Sequence, residues 1–183
     1  MRPSNREKIL SAAYGVVERE GVSAVTFEAV SAASGISRGG LLYHFRSKEE
    51  LLLALHEYLA QRWEERLIEA LGRAPEEATA DEKIAAYARV SARSASGPEL
   101  LLILESSIHS ELRRPWSAVL AEWTPNLAGV SPEDPVALDR LLAVLAANGL
   151  WASEAISDVR IPAELRGALA ERISGMLESP SAP

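Results

Sequence analysis

A hydroxyl, a guanidinium, a phenol, an imidazole and an ammonium follow one another as Ser37, Arg38, Tyr43, His44 and Lys48, with Gly39 and Gly40 between them. Residues of these types at this spacing can grip a DNA backbone. Ser37 and the N–H groups of a helix start can meet a phosphate. Tyr43 and His44 can hydrogen-bond phosphates while their rings pack on sugars or thymine methyls. Lys48 can pair with a phosphate as a point charge. The glycines let the backbone come close. Each side chain also has a plainer reading: Tyr43 or His44 as packing residues, Lys48 as a solvated lysine. A cation in the first turn of a helix opposes the macrodipole, which favours the functional reading of Lys48.

The elements that must position these groups are short. Thr26 is a good N-cap for a helix running to about Ser34, and Gly35 closes it. Ser37 caps a second small helix from Arg38 to about His44. Two such helices cross tightly only if the touching residue is small. Ser31 is that residue, with Ile36 plugging the turn and Leu41 packing beneath. The segment from Thr26 to Lys48 is therefore predicted to form a helix-turn-helix. Before it, Ser4 and Glu7 form a capping box for a helix through Glu20, whose Ile9, Leu10, Ala13, Val16 and Val17 share one face. Gly21 ends that helix by taking the left-handed conformation. After it, Ser47-Lys48-Glu49-Glu50 is a second capping box. It opens a long helix with Leu52, Leu55, Leu59, Trp63, Leu67 and Leu71 on one side, stopping near Gly72.

Composition bounds the rest. The 183 residues suffice for one domain or one small and one medium unit, and the net charge is −7. Positions 1–60 hold seven basic and seven acidic residues; the remaining 12 basic and 19 acidic residues carry the whole excess. DNA binding needs local basic groups rather than a basic whole, and Arg2, Arg6, Lys8, Arg38, Arg46 and Lys48 can supply them. With no cysteine, disulfides and thiolate metal sites are excluded, and a reducing cytoplasm is the expected compartment. No apolar run reaches the roughly 18 residues of a membrane span, and the polar N-terminus shows no secretory signal.

Further helices are expected at 81–94, at 98–114, from Pro115 onward, at 135–158 and at 162–178, with polar loops at 73–80 and 128–135. The reading is an all-α chain of about nine helices, three short and six longer. Its expected domains are 1–47 (reader), 48–178 (regulatory and dimerisation) and a frayed tail, 179–183.

The first 50 residues resemble the tetracycline-repressor (TetR) family of bacterial regulators. The likeness rests on Thr26-Phe27, Gly35-Ile36-Ser37-Arg38-Gly39, Leu41, Tyr43-His44-Phe45 and Ser47-Lys48-Glu49-Glu50-Leu51. It implies an all-α homodimer whose three-helix module reads a palindromic operator in double-stranded DNA and whose variable C-terminal domain binds an inducer. The family's DNA contacts fall on Thr26, Ser37, Arg38, Gly39, Tyr43, His44 and Lys48. Two positions depart from the pattern. Many members carry an aromatic where this chain has Leu42, which is either core or a thymine-methyl contact. Gly40 is bare where others often carry Thr, Asn or Ala.

Relatives dimerise through their last two long helices, which places Leu141, Leu145, Trp151, Leu165, Leu169, Ile173 and Met176 at the expected interface. The bland alternative is that these faces pack on their own chain. A small-molecule effector would lie among the middle helices, with Trp63, Tyr87, Leu104, Ile108, Trp116, Trp123 and Asn148 as candidate lining. Aromatics at helical spacing are also ordinary core. Asn148 stands where many relatives carry Asp, which points to a neutral effector. Glu105 and His109 lie one turn apart without a third ligand, so no metal site is expected. No nucleophile motif or phosphate loop is present, so neither catalysis nor a cofactor is expected. The resulting expectation is a ligand-responsive, sequence-specific DNA-binding repressor released from a palindromic operator by a small apolar effector; the alternatives are an activator or a ligand-independent regulator and, last, a helical enzyme or carrier, and no membrane protein is expected.

Overall fold

Hydrogen-bonding side chains start most of the helices, and tertiary packing decides the rest. The computed structural model describes residues 4–93, 96–126, 128, 130–157 and 160–178. Arg2 and the expected tail 179–183 lie outside them. Among the described residues there are nine α-helices. They are α1 Asn5–Glu20, α2 Phe27–Ser34, α3 Arg38–His44, α4 Lys48–Leu71, α5 Ala80–Arg93, α6 Gly97–Ser106, α7 Ser110–Trp123, α8 Pro135–Ile156 and α9 Ala163–Glu178.

The first cap is a full capping box: Glu7 N–H donates to Ser4 Oγ at 3.2 Å and Ser4 N–H to the Glu7 carboxylate at 2.7 Å. Gly21 ends α1 at φ 83° and ψ 172°. That is an extended, glycine-favouring conformation rather than the expected left-handed helical one. The box opening α4 is shifted by one residue. Glu50 N–H donates to Ser47 Oγ, while the Glu50 carboxylate accepts from Arg46 N–H, one position before the cap. Thr79 and Glu82 form a further box that starts α5 at Ala80. The Thr79 backbone N–H, then Arg73 and the Thr79 hydroxyl, hold the Glu82 carboxyl down at about 2.

The expected helix 98–114, with a new helix opened by Pro115, is not what forms. The chain breaks after Ser106, and α7 runs through Pro115 without interruption. The Ser106 and Ser107 hydroxyls turn back onto the carbonyls of Ile103 and Leu104, each at 2.6 Å, and so compete with the helix ladder. The Arg113 guanidinium then donates to the carbonyls of Ser106 and Ser107. An interior proline costs a helix about 3 kcal/mol. Burial of Trp116, Val119 and Trp123 along the same helix offsets that cost.

The chain divides into two compact units, Met1–Gln61 with Gly97–Trp116, and Arg62–Ser96 with Ser117–Pro183. They do not part at 47/48, because α4 contributes to both. In the first unit α1 packs on α2 and α6, and α2 on α3. Ile9, Leu10, Ala13, Val16, Val17, Val25, Val30, Leu41, Phe45, Leu51 and Leu55 are sealed from water. Each large side chain contributes about 1.5–3 kcal/mol by burial. His56 lies in this core, fully buried, and accepts at Nδ1 from the Trp116 indole N–H at 2.9 Å. Burial lowers its pKa to about 4.

In the second unit α5, α8 and α9 pack on one another. Small residues let them approach: Ala92, Ala143, Ala147 and Ala170 are buried at the contacts. Arg140 grips Asp81 with two hydrogen bonds, 2.7 and 3.1 Å. Arg166 meets Glu154 at 3.0 Å. By length and mean hydropathy α8 is apolar enough to cross a membrane, though Asp139, Arg140 and Asn148 interrupt its apolar run. Its use here is that of a bundle helix, with Arg140 and Glu154 ion-paired to α5 and α9.

Candidate nucleic-acid interface

The reader helix α3 is fixed from below and bare above. Thr26 Oγ1 accepts from Ala29 N–H at 3.1 Å, which starts α2. Gly35 then takes the left-handed conformation, φ 70° and ψ 11°, that makes the turn cheap only for glycine. Ser31 does more than stay small: its hydroxyl donates to the Ile36 carbonyl at 2.7 Å. Ser34 Oγ accepts from Ile36 N–H at 3.2 Å. Two serines of α2 thus hold the turn residue that feeds α3. Ser37 Oγ accepts from Gly40 N–H at 3.2 Å and caps α3.

Leu41 and Phe45 anchor the underside of α3, both essentially unexposed, while Tyr43 stands 85% exposed. The Tyr43 and His44 rings meet edge to face, 5.2 Å between centroids. Leu42 is 42% exposed, so its core alternative falls and it belongs to the outer surface. The two glycines separate in role. A Cβ at Gly39 meets nothing within 4 Å, whereas a Cβ at Gly40 would sit 2.8 Å from Ile36 Cγ2. Packing against the turn therefore leaves no room for a side chain at Gly40, a second reason for a glycine there besides the close backbone approach expected of it. Arg38 is exposed and paired with Glu28 of α2. Lys48 is half-buried, and its Nζ donates to the Ser23 carbonyl at 3.3 Å. Glu28 is a missed partner. Its position, ten residues before Arg38 on the neighbouring helix, is invisible to spacing rules within one helix.

Comparison with known proteins decides the family. A family model described as bacterial regulatory proteins, tetR family, matches residues 9–55, and one described as tetracyclin repressor-like, C-terminal domain, matches residues 81–178. The chain belongs to the TetR family. It is a TetR-family transcriptional regulator with an N-terminal DNA-binding domain, and this is a class of DNA-binding proteins rather than of enzymes. CymR of Pseudomonas putida, an HTH-type transcriptional regulator, is 41% identical over 59 residues, 32% of this chain and 29% of that protein. The matched stretch is thus under a third of that relative's length. The TetR-family regulator SCO4454 of Streptomyces coelicolor shares the fold at TM-score 0.68 and 22% identity, covering 97% of this chain and 90% of that one. A transcriptional regulator of Saccharomonospora viridis, crystallised with choline, does so at 0.68 and 17%, covering 94% and 95%.

In this TetR-family regulator the residues expected to line an effector site do not all converge. Trp63, Tyr87 and Asn148 of the second unit do. The Tyr87 hydroxyl donates to Asn148 Oδ1 at 2.6 Å, and Trp63 meets Tyr87 edge to face at 6.1 Å. Burial raises the Tyr87 pKa to about 12. Trp151, expected at the dimer interface, instead packs on Trp63 at 6.4 Å, within its own chain. Trp123 is buried in the second unit. Trp116 is engaged with His56 in the first, and Leu104 and Ile108 stand 57% and 77% exposed, lining no enclosed wall.

Of the expected interface residues, Leu145, Leu165 and Leu169 are exposed, and Leu142 joins them. Leu141 and Met176 are half-buried. Ile173 is buried in its own chain and Trp151, packed on Trp63, is half-buried, so both have packing partners within the chain. Both turn toward neighbouring helices, a choice that apolar spacing alone does not resolve.

Proposed function

We propose that this regulator is a repressor that binds a palindromic operator as a homodimer and is released by a small, uncharged, largely apolar effector. Thr26, Ser37, Arg38, Gly39, Tyr43, His44 and Lys48 carry the DNA contacts, and Leu42 offers a methyl contact on the same surface. The observation that carries the reading is the sidedness of α3: Leu41 is unexposed while Tyr43, two residues on, is 85% exposed. A short helix held this firmly from beneath and bare above suits a major groove. Exposed Leu142, Leu145, Leu165 and Leu169 support pairing of α8 and α9 with a second copy. That pairing converts two weak grips into a bivalent one.

On this reading the effector lies among Trp63, Tyr87, Trp151 and Asn148, supported by the contacts that bring their side chains together. Arg66 already lies over the Trp63 ring, 5.2 Å from its centroid, and Asn148 brings no charge. A cationic effector of the choline type gains no charge from Asn148 and meets the like charge of Arg66. Coupling of about 1–3 kcal/mol between effector and DNA is the general scale. The test is genome-wide mapping of bound sites, then anisotropy titration of a labelled bound duplex at stated salt. Release is expected with an uncharged aromatic such as 2-naphthol and not with choline. Absence of any palindrome among bound sites contradicts the dimeric reading.

A further inference from the structure

A cavity of about 200 Å³ opens between α5 and α9, lined by Arg89, Ala92, Arg93, Ala163, Arg166, Gly167, Ala170 and Glu171. We propose that it binds a small organic carboxylate. Three arginines line it, in a chain whose net charge is −7. Arg89 and Arg93 stand one turn apart on α5, and Arg166 faces them from α9. Against these three arginines stand Glu171 in the lining and Glu154, bound to Arg166 at 3.0 Å. The balance around the cavity is therefore positive.

The guanidinium donors are also incompletely used. Arg166 Nε is buried with no partner among the described residues. Arg89 donates to the Ala70 carbonyl at 3.3 Å, a long bond by the usual geometry. Arg93 is exposed and holds no ion pair among the described residues. An arginine fork matches a carboxylate with two parallel bonds.

The remainder of the lining is Ala92, Ala163, Gly167 and Ala170, a floor of small apolar groups. Such a floor suits a short hydrocarbon body rather than the fourth oxygen of a phosphate. The volume is below the roughly 300–1,000 Å³ of drug-sized sites, which sets the ligand's scale near that of benzoate. At 100° per residue, Gly167 and Ala170 lie 200° and 140° around α9 from Leu165. From Leu169 the same two lie about 160° and 100° away and Arg166 about 60°, so a second copy paired through Leu165 and Leu169 approaches the Arg166 edge of the cavity and not its Gly167 side. The site shares no lining residue with the aromatic cluster and stands independently of the effector reading.

The test is calorimetric titration of the full chain with sodium benzoate, with benzamide and inorganic phosphate as parallel probes. Benzoate is expected to saturate, benzamide not to bind, and phosphate to bind more weakly. Arg93→Ala should weaken benzoate about tenfold, the loss of one charge-assisted contact. Gly167→Leu should abolish binding by filling the cavity. It should fold, since a Cβ there meets nothing within 4 Å and leucine favours helix over glycine; a melting curve checks this. Asn148→Leu, in the aromatic cluster, should leave benzoate binding intact. No benzoate binding up to about 10 mM, equal binding by Arg93→Ala, equal binding by a folded Gly167→Leu, loss in Asn148→Leu alone, or phosphate binding as tightly as benzoate would overturn the proposal.

Discussion

The helices α1–α3 and the pair α8–α9 leave very different residues uncovered. In α1–α3, Ile9, Leu10, Val16, Val17, Val30 and Leu41 are all sealed, and the large apolar side chains left exposed are Leu42 and Tyr43, among capping hydroxyls and charged groups. On α8 and α9, Leu142, Leu145, Leu165 and Leu169 are 37–56% exposed. A surface of hydroxyls, rings and cations suits a wet, charged polymer. A row of aliphatic side chains on long helices suits a dry partner such as another helix pair. The difference teaches that one chain carries two surfaces for two kinds of neighbour, and that each can be broken without the other.

The largest effect is expected from breaking the aliphatic surface. Leu145→Glu combined with Leu169→Glu should give monomers by sedimentation and lower operator affinity by about 10²-fold or more, the scale of lost bivalency, while circular dichroism stays helical. Acid should next disturb the first unit's core. The folded pKa of His56 is about 4, below the ordinary value of about 6.5. Between those values the unfolded chain holds a proton that the folded chain does not. Stability is therefore full above about pH 6.5 and falls as pH drops toward 4, by on the order of 3 kcal/mol. Chemical denaturation at pH 7 and pH 4.5 measures this, and His56→Gln should flatten the difference.

The two glycines of α3 sharpen the comparison on a smaller scale. Gly40→Ala forces a Cβ to within 2.8 Å of Ile36 Cγ2 and should cost about 1–3 kcal/mol of stability. Gly39→Ala should leave the melting temperature unchanged or raised and weaken operator binding instead. The reverse pattern in paired melting and DNA titrations would contradict the division of roles. The smallest effect concerns Arg38. Removing its partner with Glu28→Ala frees an exposed guanidinium, and the pair is worth about 0.2–1 kcal/mol. A gain of a few-fold in operator affinity at low salt is expected, fading as salt rises.

The parts of the fold legible in the sequence were those governed by local chemistry. Ser4 with Glu7, Thr26, Gly35 and Ser37 act within a few residues of themselves, and each does what its type dictates. The parts not legible depend on partners far along the chain. Pro115 reads as a helix start, but burial of Trp116 and Trp123 keeps it inside α7. Trp151 and Ile173 carry apolar spacing that fits either a partner chain or their own. The underside of α3 was legible at Leu41, but Phe45 just past the helix and the exposed places of Leu42 and Tyr43 depend on how α3 sits on the rest of the unit. The arginine cavity was not, since it joins positions 89 and 93 to position 166.

The central claim is that the outer surface of α3 touches DNA. The most direct measurement is anisotropy titration of a mapped operator with wild type and Tyr43→Ala, alongside their melting curves. Equal melting temperatures are expected, because Tyr43 is 85% exposed, with operator affinity reduced about tenfold or more. Equal affinity in a variant that melts like wild type would contradict it.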